Sequence, residues 1–355
     1  DSLQAGVKRE IPVRFNKPMT LISRRAILGG LGLATLGPLA SPAWAQAAKP
    51  AASPRGKPVL RLATKLRIVI PANVGGGWDQ TGRALGAALV GSGWTDEIEY
   101  ENKGGKGGTI GLASYVEKYN ADPNTLLMGG MVMVGAVALQ KPAVDLSRIH
   151  PLARLTSDYL VVVVAANSPI RNVSDFSARM RASPKDLPIA GGSAGGVDHV
   201  FAGVFTRGSG SKPEELVYLP FASGPEVVQA VLSGKAAVGI SGYSEFSEQL
   251  ASGKLRAIGV SAKRSVFGIP AIRDQGVDVD MANWRGVFTG LDVPAARRAE
   301  MVEGIKVATG HDSWLKTLKQ NHWESSWLSG PAFESFIDVD MTTSRVMAHL
   351  LKLKA

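Results

Sequence analysis

Three consecutive glycines mark the first segment of this chain that could bind a ligand. Residues 74–82 read VGGGWDQTG and stand between an apolar run at 66–71 and a helical pattern. A strand that passes through glycines into a helix leaves backbone N–H groups unpaired at the positive end of the helix dipole. Because such turns bind anions, we take Gly75, Gly76 and Gly77 as candidate ligand-binding residues.

Two side chains of the same loop each allow two interpretations. Asp79 stands where a helix N-cap acts, so it either caps the helix or contacts the ligand. Trp78 either covers a pocket or packs in the core. Both are kept as candidate binding residues.

Two later loops repeat the glycine-rich design between a strand and a helix. Residues 101–111 read ENKGGKGGTIG, where Thr109 is a helix cap or a hydroxyl donor. Residues 190–196 read AGGSAGG, and His199 follows one turn into the next helical pattern. Neither dinucleotide nor P-loop fingerprints are present. The candidates from the third loop are Gly192, Ser193, Gly195, Gly196 and His199.

The third loop also matches a catalytic motif, because residues 191–195 fit G-x-S-x-G with Ser193 as the nucleophile. A serine hydrolase of that kind also needs an acid, a later histidine and an oxyanion loop. His150 and His199 are excluded by chain order or closeness, which leaves His311, His322 and His349 in helix-like or tail segments, and no HGGG-type sequence precedes the serine. An anion-binding nest is favoured, and a secreted serine hydrolase using Ser193 stays the alternative.

Hydroxyl side chains occupy two more strand-to-helix turns, LPFASGPE at 219–226 and GISGYSE at 239–245. In open α/β sheets the ligand lies outside the carboxyl ends of the strands, so these turns gather near the glycine loops. Ser223, Ser241 and Tyr243 are therefore candidate donors, each of which could instead only form its turn.

Composition excludes several classes of protein. The 355 residues carry a formal net charge of +10 without any run of five basic residues, which argues against a nucleic-acid partner. The chain has no cysteine, so thiolate chemistry and disulfides are absent. No metal-ligand spacing is found. We expect no catalytic residue, no cofactor and no metal.

Apolar runs alternate with helical patterns along the chain in two successive series, which predicts parallel strands joined by crossover helices. The run YLVVVVAA at 159–166 predicts a strand buried on both faces. The fold class is α/β, with two domains and a mixed, mostly parallel sheet in each. The predicted domains are 59–160 plus 285–355 and 161–284.

The N-terminal region has the features of an export signal. Arg24 and Arg25 precede an apolar run and an A-x-A site at 43–45, so residues 1–45 are predicted to be a twin-arginine export signal with cleavage after Ala45. A short membrane anchor is the alternative interpretation of the apolar run, which falls short of about 20 apolar residues. Met19 is a candidate translation start within this region. Residues 46–58 predict a flexible leader. The expected location is the periplasm.

The whole pattern after the signal resembles one family. The segments RIVIPANVGGGWDQTGRALG, ENKGGKGGTIG, AGGSAGGVDHVFAG, SEFSEQLASGKLRAIGVSAKR and NWRGVFTG occur in the order found in receptor proteins of tripartite tricarboxylate transporters. GGGWDQTGR is similar to the tricarboxylate-binding branch. The resemblance implies a periplasmic solute-binding protein whose two domains close on a carboxylate like a Venus flytrap. It also implies a monomer that works with integral membrane permease subunits.

The resemblance assigns the carboxylate to two facing loops. One corresponds to residues 75–79, with backbone amides and water around one carboxylate, and the other to residues 192–199. On this basis the chain captures a small tri- or dicarboxylate such as citrate, without a fixed side-chain countercharge, and delivers it to the permease. A carboxylate-sensing module for a signalling partner is a third hypothesis.

Overall fold

The computed structural model describes residues 61–353, which belong to one compact unit, Arg55–Ala355. The predicted export signal at 1–45 and the leader at 46–58 lie outside the described residues. Within the described part, no helix is both long enough and apolar enough to cross a bilayer.

Strands and helices alternate along the described residues. The strands are β1 (Lys65–Ile70), β2 (Glu97–Asn102), β3 (Thr125–Gly130), β4 (Ile149–Ala165), β5 (Ile189–Gly191), β6 (Tyr218–Pro220), β7 (Val238–Gly242), β8 (Leu255–Val260), β9 (Ala282–Gly290) and β10 (Glu324–Ser329). The α-helices are α1 (Gly77–Gly91), α2 (Thr109–Tyr119), α3 (Met131–Gln140), α4 (Val173–Ala182), α5 (Val197–Gly208), α6 (Gly224–Leu232), α7 (Tyr243–Ala251), α8 (Ala295–Ala308), α9 (Asp312–Asn321) and α10 (Pro331–Leu350).

The sheet is mixed, and its strands follow the order β2-β1-β3-β9-β4-β7-β5-β6, with β8 and β10 also paired to β4. β1 runs parallel to β2 and β3, and β5 runs parallel to β6 and β7. β9 is antiparallel to β3 and β4, and β4 is antiparallel to β7, β8 and β10. The predicted α/β fold is confirmed, with the parallel strands at the two ends of this order.

β4 is the element on which the sheet is built, and it is longer than the sequence predicts. The sequence predicts a buried strand at 159–166, whereas β4 spans 17 residues, Ile149–Ala165. Residues 149–159 pair with β9, and residues 160–165 pair with β7 and β8. The side chains of 160–164 are fully buried, and alternate residues pack into two different hydrophobic clusters. Burial on both faces explains why the run is continuously apolar.

Three elements were missed by the sequence patterns: α4, α9 and β10. α4 has a recognisable start, since the side chain of Asn172 accepts a hydrogen bond from the Asp175 N–H (2.8 Å). α9 is capped by the ring of His311, which is an uncommon cap. β10 reads ESSWLS, which lacks an apolar alternation. α1 also begins at Gly77, earlier than the predicted start near Asp79.

The buried side chains form three hydrophobic clusters. The largest draws on residues 62–155 and 284–337, and the other two draw on residues 160–279. The predicted domains, 59–160 plus 285–355 and 161–284, follow nearly the same limits. The division into two domains stays a prediction, and we use "first part" and "second part" below for these two sets of residues.

The last helix, α10, is held by Phe333. Its ring is fully buried and lies 5.6 Å from the ring of Trp284 and 5.9 Å from that of Phe288, both in β9. Aromatic rings at such separations attract each other in addition to burying apolar area. The C-terminal helix is thereby packed on β9, the strand next to β4.

Replacing Phe333 by alanine should destabilise the protein by about 3–5 kcal/mol, because a buried ring is lost and a cavity remains. Denaturant unfolding followed by circular dichroism measures the change. Val339→Ala on the same helix is the control, since Val339 is 66% exposed and should shift stability by about 0.5 kcal/mol or less. Equal effects of the two substitutions would contradict this role for Phe333.

Candidate functional site

A cavity of about 80 Å³ lies among the loops that follow the carboxyl ends of several strands. The first residues of five helices contribute to its wall: Gly77 of α1, Gly108 before α2, Asp198 of α5, Gly224 of α6 and Gly242 before α7. Each helix start directs a partial positive charge of about half an elementary charge toward the cavity. The cavity is therefore suited to an anion.

These helices start without side-chain caps. The N-cap residues of α1, α5 and α7 are Gly76, Gly196 and Gly242, and in none of the five helices does the N-cap residue's own side chain accept a hydrogen bond from the first turn. α4 and α9 are capped by side chains, whereas α3, α8 and α10 are uncapped as well. The donors that Ser or Asp would otherwise occupy stay accessible to other acceptors.

Gly77 is a glycine because charged side chains pack against its α-carbon. A β-carbon there would lie 2.6 Å from Nη2 of Arg285 and 2.8 Å from Oε1 of Glu245. The backbone N–H of Gly77 donates a hydrogen bond to that Glu245 oxygen (3.0 Å). The first glycine loop and α7 are thus in direct contact across the cavity.

Asp79 does not line the cavity. Its carboxylate is buried and accepts hydrogen bonds from the Gly75 N–H (3.0 Å), Arg83 Nε (2.9 Å) and Asn102 Nδ2 (2.9 Å). Burial alone would raise its pKa, but these donors outweigh burial and hold the pKa below the usual range. Asp79 fastens the loop in which Gly75 has φ of +85°.

The third glycine loop is held by two residues of α5 and one of β6. The Gly192 N–H donates to Asp198 Oδ2 (2.7 Å), and the Gly195 N–H donates to Nδ1 of His199 (3.0 Å). The His199 ring stacks on Tyr218 at 4.2 Å, and the Tyr218 hydroxyl donates to the Gly192 carbonyl (2.6 Å). The loop is therefore fixed with Ser193 at the cavity wall.

This arrangement gives Ser193 no catalytic partner. Nδ1 of His199 is occupied by the Gly195 N–H, and in residues 61–353 no histidine ring is hydrogen-bonded to the Ser193 hydroxyl. A serine nucleophile needs a base within hydrogen-bond reach. The geometry favours a binding loop over a hydrolase site.

The structure brings half of the residues proposed from the sequence to the cavity. Those that line it are Gly76, Gly77, Trp78, Gly192, Ser193, Ser223 and Ser241. Those outside its wall are Gly75, Asp79, Thr109, Gly195, Gly196, His199 and Tyr243. Among the second group, the Thr109 hydroxyl donates to the Lys106 carbonyl (3.0 Å), and the Tyr243 ring packs on Phe267 and His322.

The sequence patterns missed the cation in the cavity wall. Arg285 lies in β9, is only 2% exposed and donates from Nη2 to Oδ2 of Asp158 at 2.7 Å. Within the described residues Nη1 of Arg285 has no hydrogen-bond partner, and neither has Oδ1 of the adjacent wall residue Asn283. The expected site without a fixed countercharge is thus replaced by one that contains a guanidinium. The sequence signal that could have revealed this cation is an arginine inside the apolar strand ANWRGVFTG.

Three carboxylates surround this one guanidinium: Asp158, Asp198 and Glu245. No ion pair in the described part of the chain includes Asp198 or Glu245, and each instead accepts a backbone N–H. Burial raises the pKa of all three, and Arg285 opposes the rise. Burial raises the pKa of Asp198 to about 8, so it is mostly protonated at pH 7. Burial also lowers the pKa of His199 to about 4, so that ring is neutral.

A wider opening of about 550 Å³ continues from the cavity past Phe221 and Ala222. Lys106, Gln140 and Glu226 line this opening. Residues 61–353 contain no group of three or more side chains that could hold a metal ion. The cavity wall therefore combines helix N-termini, one guanidinium, hydroxyl groups and carboxyl groups, and Lys106 adds an ammonium group at the opening.

Comparison with known proteins assigns the fold and the family. The model of the tripartite tricarboxylate transporter family receptor matches residues 95–349. The chain belongs to this family. The members of this family are receptors of tripartite tricarboxylate transporters.

Individual relatives of the receptor are distant in sequence. Protein BugT of Bordetella pertussis is 26% identical over 214 residues, which cover 59% of this chain and 64% of BugT, less than two thirds of that protein. MatC of Rhodopseudomonas palustris, solved with bound malate, has a TM-score of 0.69 at 21% identity over 82% of this chain and 99% of MatC. Another R. palustris protein, solved with adipate, has a TM-score of 0.75 at 20% identity over 82% and 98%. The structural likenesses confirm the receptor's fold.

The receptor should lose stability as pH rises from 6.5 to 8. A carboxyl whose pKa is raised by folding, such as Asp198, stabilises the protein fully below the unfolded pKa, and this contribution is lost as pH rises toward 8. The contribution of His199 to stability depends on pH in the opposite direction, because burial lowers its pKa. That contribution is lost only as pH falls from 6.5 to 4. Asp198→Asn should therefore flatten the decline and raise the melting temperature at pH 8 by about 3 °C or more.

Differential scanning calorimetry at pH 6.5, 7.3 and 8 checks this expectation. Asp274→Asn, a change at an exposed carboxylate, should behave as the unaltered receptor. A decline of equal slope in Asp198→Asn would show that Asp198 is ionised throughout this range.

Proposed function

We propose that this protein is an exported periplasmic receptor that captures a small carboxylate between its two predicted domains. The ligand class is a tri- or dicarboxylate such as citrate. The observation that carries the proposal is the convergence of five uncapped helix starts and Arg285 on one cavity. Amides and dipoles stabilise a buried anion, and the free Nη1 of Arg285 suits a second carboxylate.

Contacts between the first and second parts support capture by closure. Asn73 Nδ2 donates to Glu226 Oε1 (2.9 Å), and Gln140 Nε2 donates to the Ala194 carbonyl (3.2 Å). Each bond joins a residue of 59–160 to a residue of 161–284. Domain closure around a ligand buries it and brings such surfaces together.

The relatives and the family point to the same ligand class and partner. MatC was solved with malate and the second R. palustris protein with adipate, both dicarboxylates. The family name places its members as receptors of tripartite tricarboxylate transporters. We therefore propose export through the twin-arginine pathway and delivery of the ligand to the membrane permease subunits of such a transporter.

A thermal-shift screen tests capture. Citrate, tricarballylate, L-malate, succinate, adipate, L-glutamate and benzoate are added singly, with succinamide as an uncharged control. A ligand at 100 times its dissociation constant should add about 2.7 kcal/mol to the free energy of unfolding, a rise of roughly 5 °C or more in melting temperature. The proposal fails if no carboxylate raises the melting temperature.

Arg285→Lys should weaken binding of a dicarboxylate found in this screen by about 10- to 100-fold. Lysine keeps the positive charge but loses the two-pronged geometry, so it cannot hold Asp158 and donate to a ligand at once. Isothermal titration measures the dissociation constant. Arg179→Lys, at an exposed site on α4, is the control and should bind as the unaltered protein. Unchanged affinity in Arg285→Lys would remove Arg285 from the site.

A further inference from the structure

Glu245 occupies a donor that an incoming carboxylate would also use. The N–H of Gly77 is the first donor of α1, and Glu245 Oε1 accepts it at 3.0 Å. The other side of the same carboxyl packs against Gly224 at the start of α6. Glu245 itself stands in the first turn of α7. A carboxyl group of the chain is thus already placed where three helix starts meet.

The groups around Glu245 cannot neutralise it as a salt bridge would. Arg285 of β9 faces it but is bonded to Asp158 of β4, and Asp198 of α5 adds a third carboxyl. Ser241 of β7 and the Gly77 N–H of α1 supply only neutral donors. With one positive and three negative groups, the cavity wall has a formal net charge of −2 if all are ionised. Burial accordingly raises the pKa of Glu245.

A ligand carboxylate near Gly77 would therefore lie beside a second carboxylate. Two carboxylates within hydrogen-bond distance in a buried site do not both stay ionised, because their repulsion raises the pKa of one of them until they share a proton. The protonated group then donates a short O–H···O hydrogen bond to the other. The Gly77 N–H can still donate a hydrogen bond to the other oxygen of Glu245.

We propose that a carboxylate enters this cavity together with one proton from solvent, and that Glu245 holds this proton in a hydrogen bond to the ligand. The inference rests on the proposed function. Asp198 does not take this role at pH 7, because it is mostly protonated before the ligand arrives. Affinity should then fall toward a limit of about tenfold for each pH unit above the pKa of Glu245.

Isothermal titration in two buffers of different ionisation enthalpy, phosphate and Tris, counts the protons taken up. The probes are L-malate and adipate, which carry two negative charges above pH 7 and do not themselves take up the proton. The unaltered protein should take up protons on binding, and their number should approach one per bound ligand as pH rises from 7 to 8.5. Glu245→Gln should take up none at pH 7, and its affinity should exceed that of the unaltered protein by a ratio that grows toward about tenfold for each pH unit above the pKa of Glu245. Glutamine keeps an acceptor for Gly77 and a donor for the ligand.

Glu248→Gln is the matched control, since this exposed residue lies on the same helix, and it should behave as the unaltered protein. Asp198→Asn should retain the proton uptake at pH 7, which also decides the assignment if Glu245→Gln does not fold. Binding without proton uptake, or uptake that persists in Glu245→Gln and vanishes in Asp198→Asn, overturns the inference and leaves the proposed function intact. If neither these probes nor the other carboxylates of the screen bind, the proposed function fails and this inference fails with it.

Discussion

The ion pair between Arg285 and Asp158 lies where β4 leaves one set of partner strands and joins another. Asp158 is opposite Asn283 of β9, and two residues later Leu160 is opposite Gly242 of β7. Both charged groups are 2% exposed, so breaking the pair by removing one partner would leave an uncompensated buried charge. The same pair directs the guanidinium to the cavity wall. This ion pair therefore links β4 to β9 close to the residue where β4 changes partner strands. It also fixes a positive charge in the cavity wall.

The cavity balances charge by two means. Backbone dipoles of five helices supply positive potential that needs no side chain and little space, which is why glycines surround the cavity. The carboxyl groups of Asp198 and Glu245 take up part of this hydrogen-bonding capacity, since each accepts a backbone N–H group. A site of this kind discriminates by the number and position of negative charges that a ligand brings. Trp78 and Phe221 add aromatic surface to the same wall.

Local sequence signals predicted much of this structure, and long-range relations account for what they missed. The strand, the glycines at Gly76 and Gly77 and the following helix lie within one short stretch of sequence. Apolar periodicity and turn-forming residues are therefore enough to predict them. Arg285 acts through Asp158, 127 positions earlier in the chain, and no local pattern connects the two. Asp79 was ambiguous for a similar reason, since its partner Asn102 comes from the next strand. The length of β4 was also missed because residues 149–158 carry polar groups that are buried only by pairing with β9 and β10.

Asp198 and His199 are neighbours whose pKa values are shifted in opposite directions, to about 8 and about 4. Between these values neither side chain carries a full charge, although both types usually titrate within or close to that range. Near the middle of this interval, at about pH 6, the start of α5 therefore contributes almost no change in charge. In that interval a response of ligand binding to acidity comes from the carboxyl groups of the ligand itself or from other parts of the cavity wall, such as the contact between α1 and α7.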